Sequence, residues 1–253
     1  EGRGPGSRGQ YGGNGMIRRN QEVLLLVGVF TLIRLAVSPA FGLGVDEAHY
    51  VLYATHLDWS YVDHPPLVGW IHALFLHTMG TGEFPARLPA ILLSIPVSFL
   101  AYRFVLSFAG SKSIALAAVL ALNCSFLLNV LSIMLLPESL LLALVFPLME
   151  ATRNVESRGQ RGDFILLGVL LGVAGLAKYT AILFVPPVLI YLILKKRSDR
   201  LFCRHMALAG LLAILLVTPV LYWNLQHDFI SFRYQTGHVL GSSMSLKKFL
   251  VSL

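Results

Sequence analysis

The feature that most constrains this chain is a series of apolar runs too numerous for a water-soluble core. They fall at residues 23–37, 88–108, 113–131, 135–150, 163–177, 180–194 and 205–222. Hydrophobic residues make up 56% of the 253 and charged residues only 13%, against roughly 25% charged in an ordinary soluble domain. Mean hydropathy is +0.71. No single core of this size could hide that much apolar surface, so lipid is the expected solvent. The reading is an all-α polytopic membrane protein with about seven transmembrane helices. Several runs are shorter than the ~20 residues a perpendicular helix needs. Pro96, Pro147, Gly168, Gly172, Pro186, Pro187 and Pro219 interrupt them, as neighbouring helices allow in a membrane.

Lys and Arg cluster at every second boundary: Arg18/Arg19, Arg103 and Lys112, Arg153/Arg158/Arg161, and Lys195/Lys196/Arg197/Arg200/Arg204. The bias of basic residues toward the cytoplasm puts all four clusters, and the N-terminus, on that side. The same distribution accounts for the net charge of +7 without nucleic acid, since no basic face with interleaved aromatics is present. The alternate boundaries share the outer face: the 38–85 loop, the turns near 132–137 and 177–180, and the stretch from Trp223 onward. This partition uses Lys and Arg alone, yet it gathers Asp46, Glu47, Asp63, His64, Glu138, Lys178, His227, Asp228 and His238 on one side.

Residues 1–15 are Gly- and Arg-rich without periodicity and read as a disordered tail; Met16 reads as the true start. Residues 16–253 form the membrane domain, expected to be part of a longer one because 249–253 looks like the opening of a further span. Cys124 and Cys203 have neither metal-ligand nor disulfide-framework spacing. The large first extracytoplasmic loop, 38–85, is not simply extended. His49–Tyr50–Tyr53–Leu57 and Leu67–Trp70–Ile71–Leu74–Phe75 are spaced as helix faces, rich in the aromatics that suit the membrane interface.

Four of the chain's 13 acidic residues lie within the 22 positions from Val45 to Pro66. Titratable groups this dense beside a bilayer point to chemistry. Asp46–Glu47 could supply a general base or merely favour a helix N-terminus. Asp63–His64 beside Pro65–Pro66 could bind a divalent ion, position a phosphate or cap a turn. Glu138 could face a cavity or complement a helix dipole. Lys178, with help from Arg87, could meet an anionic phosphate or only snorkel.

The stretches DEAHYVLYATHLDWSYVDHPPLVGWIHALF, GEFPARLPA, LLPESLLL, GLAKYTAILFVPP and PVLYWNLQHDFISFRYQTGH resemble, in that order, the bacterial polyprenyl-phosphate-dependent glycosyltransferases of the GT-C superfamily. These are relatives of the dolichyl-phosphate-mannose–protein mannosyltransferases and of the aminoarabinose transferase of lipid A. The resemblance runs from about residue 20 to 240. It implies transfer of a sugar from a lipid-linked monophosphate donor to a protein, lipid or glycan acceptor outside the cytoplasm, by an enzyme integral to the inner membrane.

On this resemblance the family's acidic pair falls on Asp46 and Glu47, with Asp46 as base. A second acidic position falls on Glu138, where relatives carry Asp. Lys178, Tyr179 and Thr180 fall where the donor phosphate is contacted, with Arg87 as a weaker partner. Asp63, His64 and His238 fall near the acceptor or a metal; the family differs in metal use, so no ion is assigned and no other cofactor is expected. The rivals are a transporter or flippase of a lipid-linked or small polar substrate, and a non-catalytic membrane subunit.

Overall fold

The computed structural model describes residues 13–195 and 200–237, with the backbone alone described for 13–20. Among the described residues there are helices and no strands. In chain order they are α1 (Gly13–Val37), α2 (Val45–Thr55), α3 (Leu67–Met79), α4 (Glu83–Ala109), α5 (Lys112–Cys124), α6 (Phe126–Ile133), α7 (Pro137–Ser157) and α8 (Arg161–Ala177). A 3₁₀ segment (Tyr179–Phe184), α9 (Val185–Lys195) and α10 (Arg200–Gln226) follow. Residues 230–237 are again helical. Helix α1 starts three residues inside the segment expected to be tail.

Local chemistry sets the boundaries. Ser111 Oγ accepts the Ile114 N–H to open α5. Pro137 opens α7, where a missing N–H costs nothing. Gly110, at φ +61, closes α4 in the left-handed conformation that glycine adopts without strain. The expected run 113–131 is not one rod: α5 and α6 meet at Ser125 at 69°. Asn129 Nδ2 bridges the break by donating to Asn123 O (2.7 Å) and Ser125 O (3.0 Å). Arg34, the one charge inside the first apolar run, points into the same place. It donates to Asn123 and Asn129 Oδ1 and to Ser94 Oγ, tying α1 to α4, α5 and α6.

By length and composition α4 and α10 can each cross a membrane, and the bent α5–α6 pair makes a third candidate. The two loop helices form as the spacing predicts. α2 lies on α3 closely enough that a Cβ on Gly69 would stand 2.7 Å from Tyr53 Cβ. Three buried clusters hold the bundle. One joins α1, α4 and α5 through Val23, Val27, Tyr102 and Val119. A second joins the far ends of α7 and α9 to the starts of α8 and α10 through Val155, Phe164, Leu192 and Phe202. The third seats α2 and α3 on α4 and α7 through Tyr50, Tyr53, Val68, Ala90 and Leu140.

α8 approaches α10 along Gly168, Gly172 and Gly175, a small-residue stripe of the kind that lets membrane helices touch backbone to backbone. A Cβ on Gly168 would stand 2.7 Å from Ala209 Cα and overlap its carbonyl oxygen. Gly168→Leu should destabilise the bundle by about 1–3 kcal/mol, the usual cost of overpacking, seen as a lower thermal midpoint in detergent; an unchanged midpoint would show that the two helices do not pack this way.

Glu47 and Arg87 are both fully buried. Arg87 Nε and Nη2 donate to the two Glu47 carboxylate oxygens, each at 2.7 Å. The remaining Arg87 donors take the carbonyls of Ser38, Phe41 and Gly42, and the Phe41 ring lies 4.1 Å away. Removing one partner of such a pair leaves a bare charge. Glu47→Gln should therefore cost about 3–5 kcal/mol, and the double replacement Glu47→Gln with Arg87→Met should cost less than the single one. Chemical denaturation of both variants checks the order.

Candidate active site

The turn between α7 and α8 is short, so the two helices run antiparallel. This brings the start of α7 and the end of α8 to the same end of the bundle, the end that carries α2 and α3. There Lys178 Nζ donates to Glu138 Oε1. The pair forms one wall of a cavity of about 310 Å³. Opposite it, the loop after α2 presents Asp63 and His64, and α2 contributes Tyr50. Tyr179 and Thr180 extend the Lys178 wall, and Tyr234 and Gln235 of the 230–237 segment close the remaining side.

The loop wall is itself cross-braced. Asp63 receives Tyr53 Oη on Oδ1, while His49 Nε2 (2.9 Å) and His64 Nδ1 (3.2 Å) lie on Oδ2. Burial alone would raise the Asp63 carboxyl; the hydrogen bonds from His64, Tyr53 and His49 and the His64 charge outweigh it and hold the group well below the usual carboxylate range. Tyr50 and Tyr53 move the other way. Burial pushes both phenols up, helped at Tyr50 by the charges of Glu138, Asp63 and Asp46, and at Tyr53 by the bond to Asp63. Both stay protonated and can donate.

Long-range bonds hold the loop to the rest. Trp223 Nε1 donates to Asp58 Oδ2 (2.7 Å), Ser231 Oγ to Tyr61 O (3.0 Å), Tyr179 Oη to Tyr61 O (3.2 Å) and Gln235 Nε2 to Asp63 O (2.8 Å). His72, buried in α3, reaches Leu135 O at 3.2 Å, just ahead of the turn into Glu138. Burial lowers its pKa to about 4, so the ring is neutral and Nε2–H is the donor.

The candidate residues separate into three groups. Glu138, Lys178, Tyr179, Asp63 and His64 meet in the cavity. Asp46 stands in the first turn of α2, exposed, one turn from Tyr50 on the same helix face. It makes no hydrogen bond or ion pair among the described residues. Lys178 pairs with Glu138, because antiparallel α7 and α8 bring those two together directly. Glu47 and Arg87 leave the site altogether, each buried against the other. Arg87, expected to assist Lys178 at a phosphate, has all five N–H groups engaged elsewhere. His238 lies outside the described residues.

Tyr50, Tyr53, His49, Tyr234 and Gln235 line or brace the cavity without having been expected as site residues. The helical spacing of His49, Tyr50 and Tyr53 was the available signal for three of them. For a metal, Asp63 and His64 offer a meagre donor set, since both Asp63 oxygens already accept protein donors. Among the described residues no three His, Cys, Asp or Glu side chains group closely enough to hold an ion.

The chain is similar to the lipid A galacturonosyltransferase RgtD of Rhizobium johnstonii, at 28% identity over 222 residues, which is 83% of this chain and 45% of that protein. It thus spans less than half the length of that curated relative. A family model for dolichyl-phosphate-mannose-protein mannosyltransferases matches residues 63–223, a span that contains Asp63, His64, Glu138 and Lys178. Covering well over half of the sequence, that match identifies the chain as a member of the dolichyl-phosphate-mannose-protein mannosyltransferase family.

Proposed function

We propose that this chain carries the catalytic pocket of a membrane glycosyltransferase that takes a sugar from a polyprenyl-phosphate donor. The observation that carries the reading is the cavity itself: a half-buried ammonium, Lys178, set among hydroxyl and carboxylate groups at one end of an apolar helical bundle. A phosphate leaving group needs a cation that is reachable and has N–H donors to spare; Lys178 is partly exposed and gives Glu138 one of its three, with Tyr179 beside it. Glu138 holds the ammonium in place until the phosphate competes for it.

The general base follows from which carboxylate is free. Glu47 is locked to Arg87, Asp63 accepts from three side chains, and Glu138 accepts from Lys178. Among the described residues Asp46 alone of the four has no donor, and its charge reaches the pocket at Tyr50. In the proposed step the acceptor's O–H or N–H proton passes to the Asp46 carboxylate while the acceptor atom bonds to the anomeric carbon. The bond from that carbon to the phosphate oxygen breaks, and its electron pair leaves with the polyprenyl phosphate beside Lys178. Charge stabilisation of this kind is large in a water-poor site. The acceptor is a protein, lipid or glycan hydroxyl or amine.

The same proposal gives the chain seven crossings: α1, α4, the bent α5–α6 pair, α7, α8, the Tyr179–Lys195 segment and α10. The pocket then lies on the extracytoplasmic face of the inner membrane and the N-terminus in the cytoplasm, with α2 and α3 in the interface. The spacing along α4 supports this polarity. Arg87 braces the loop, and Arg103, sixteen residues on and so about 24 Å away along the axis, meets Glu150 at the far end. A transporter would place its polar groups near the bilayer middle, whereas these collect at one end.

The test incubates membranes containing the protein with radiolabelled polyprenyl-phosphate sugars and follows label into acceptor. Asp46→Asn should insert and fold normally, since the side chain is exposed, but lose transfer by roughly 10²–10⁴-fold, the range for a general base. Normal transfer by this variant would remove Asp46 from the mechanism, and label crossing between leaflets without reaching any acceptor would favour transport.

Asp63 gives a pH signature. Its folded-state pKa lies below the ordinary value of about 4, so its contribution to loop stability is complete above that value and is lost as pH falls below it toward the depressed folded pKa. Indole fluorescence should report loosening of the 56–64 loop only in acid, and Asp63→Asn should remove that acid transition.

A further inference from the structure

A second cavity of about 310 Å³ opens at the other end of the bundle, between the last turns of α4 and α7. Its floor is apolar and aromatic, with Phe104 of α4 and Phe146 of α7 in contact at 5.7 Å between ring centroids. Its rim carries two guanidinium groups, Arg103 and Arg153, against one carboxylate, Glu150. Among the described residues neither arginine is saturated. Arg103 touches Glu150 through Nη2 alone (3.2 Å), with both side chains about half exposed or more. Arg153 reaches Ser107 Oγ at 3.5 Å. This contrasts with Arg87 on the same helix, whose every donor is engaged. The base and donor-phosphate residues of the pocket have no part in this cleft, whose Arg103 lies about 24 Å along α4 from Arg87.

We propose that this cleft binds an anionic glycerophospholipid of the surrounding bilayer, with its phosphate between Arg103 and Arg153 and an acyl chain along Phe104 and Phe146. Charge complementarity chooses the occupant. The rim has an excess of one positive charge and several N–H donors in the fork geometry that matches phosphate oxygens. On the seven-crossing arrangement proposed above, the apolar floor lies between membrane-spanning helices, where a lipid tail is the solvent and a soluble anion has nothing to place. Basic clefts between helices at a membrane surface hold anionic headgroups by the same two forces. Glu150 sets the strength of the site, since it competes with the phosphate for Arg103.

The test uses the protein in nanodiscs of phosphatidylcholine with increasing phosphatidylglycerol, reading lipid retained after detergent extraction by native mass spectrometry. The expected result is saturable retention of phosphatidylglycerol over phosphatidylcholine on the order of tenfold, given two arginines at the surface. The double variant Arg103→Gln with Arg153→Gln should bring that ratio close to one. Glu150→Gln should raise it, a change of opposite sign that a merely destabilised protein would not show. Inorganic phosphate should not displace the lipid. Equal retention of the two lipids by the parent protein, a preference that survives the double variant, a ratio unchanged or lowered by Glu150→Gln, or displacement by inorganic phosphate would each overturn the proposal.

Discussion

The buried ion pair between Glu47 and Arg87 is the constraint on which the rest of the structure depends. The 38–85 segment carries Asp46, Asp63 and His64, and little in its own sequence would hold it in one place. Arg87 supplies the missing rigidity by binding three carbonyls of residues 38–42 together with the Glu47 carboxylate. Such a pair contributes little net stability by itself, because the desolvation of both charges offsets their attraction. What it secures is register: α2 can begin at only one height on α4, and the Gly44 N–H bond to Glu47 Oε2 (3.1 Å) ties the helix start to the same carboxylate.

From that height follows the division of labour among the acids. With Glu47 turned inward, its neighbour Asp46 must point roughly 100° away around the helix, toward solvent and the Tyr50 face. Asp63, one loop later, comes within reach of His49 and Tyr53 because those two lie on that face as well. Three carboxylates of one loop thus acquire three different states among the described residues: locked in an ion pair, ionised and braced, and without a donor. In the proposed step the base must be able to accept a proton, and the two encumbered acids leave that part to Asp46.

Much of this was legible in the sequence, and the limits were physical. Apolar runs gave the helices, because lipid or a packed bundle demands them wherever they occur. Helical spacing gave α2 and α3. The basic clusters put Asp63, His64, Glu138 and Lys178 at one end before any contact was known. Pairing was not legible. Nothing in the spacing of Glu47, Glu138, Lys178 and Arg87 says which acid takes which base, and the resemblance to known transferases could not decide it. The outcome depended on helix height and direction, namely α4 against the loop and α7 antiparallel to α8. The break at Ser125 was hidden for a similar reason. Its run is apolar throughout, and only the convergence of Asn123, Asn129 and Arg34 from different helices supports the exposed carbonyls.

Arg34 and Arg87 show two ways of keeping a guanidinium away from water, and the difference bears on how the bundle works. Arg87 has a carboxylate partner, so its site is electrically closed and can act as a fixed brace. Among the described residues Arg34 meets amide and hydroxyl oxygens and the Phe30 ring but no carboxylate, so its positive charge is solvated by dipoles and not cancelled. A dipolar cradle holds a cation only while every oxygen stays aimed at it. The broken α5–α6 segment supplies two of those oxygens, so its 69° bend and the Arg34 charge sustain each other. Straightening the segment would strand the cation in an apolar surround at a cost of several kcal/mol. The bend is therefore held by a charge that has nowhere else to go, and the scaffold beneath the pocket owes its stiffness to that frustration as much as to apolar packing.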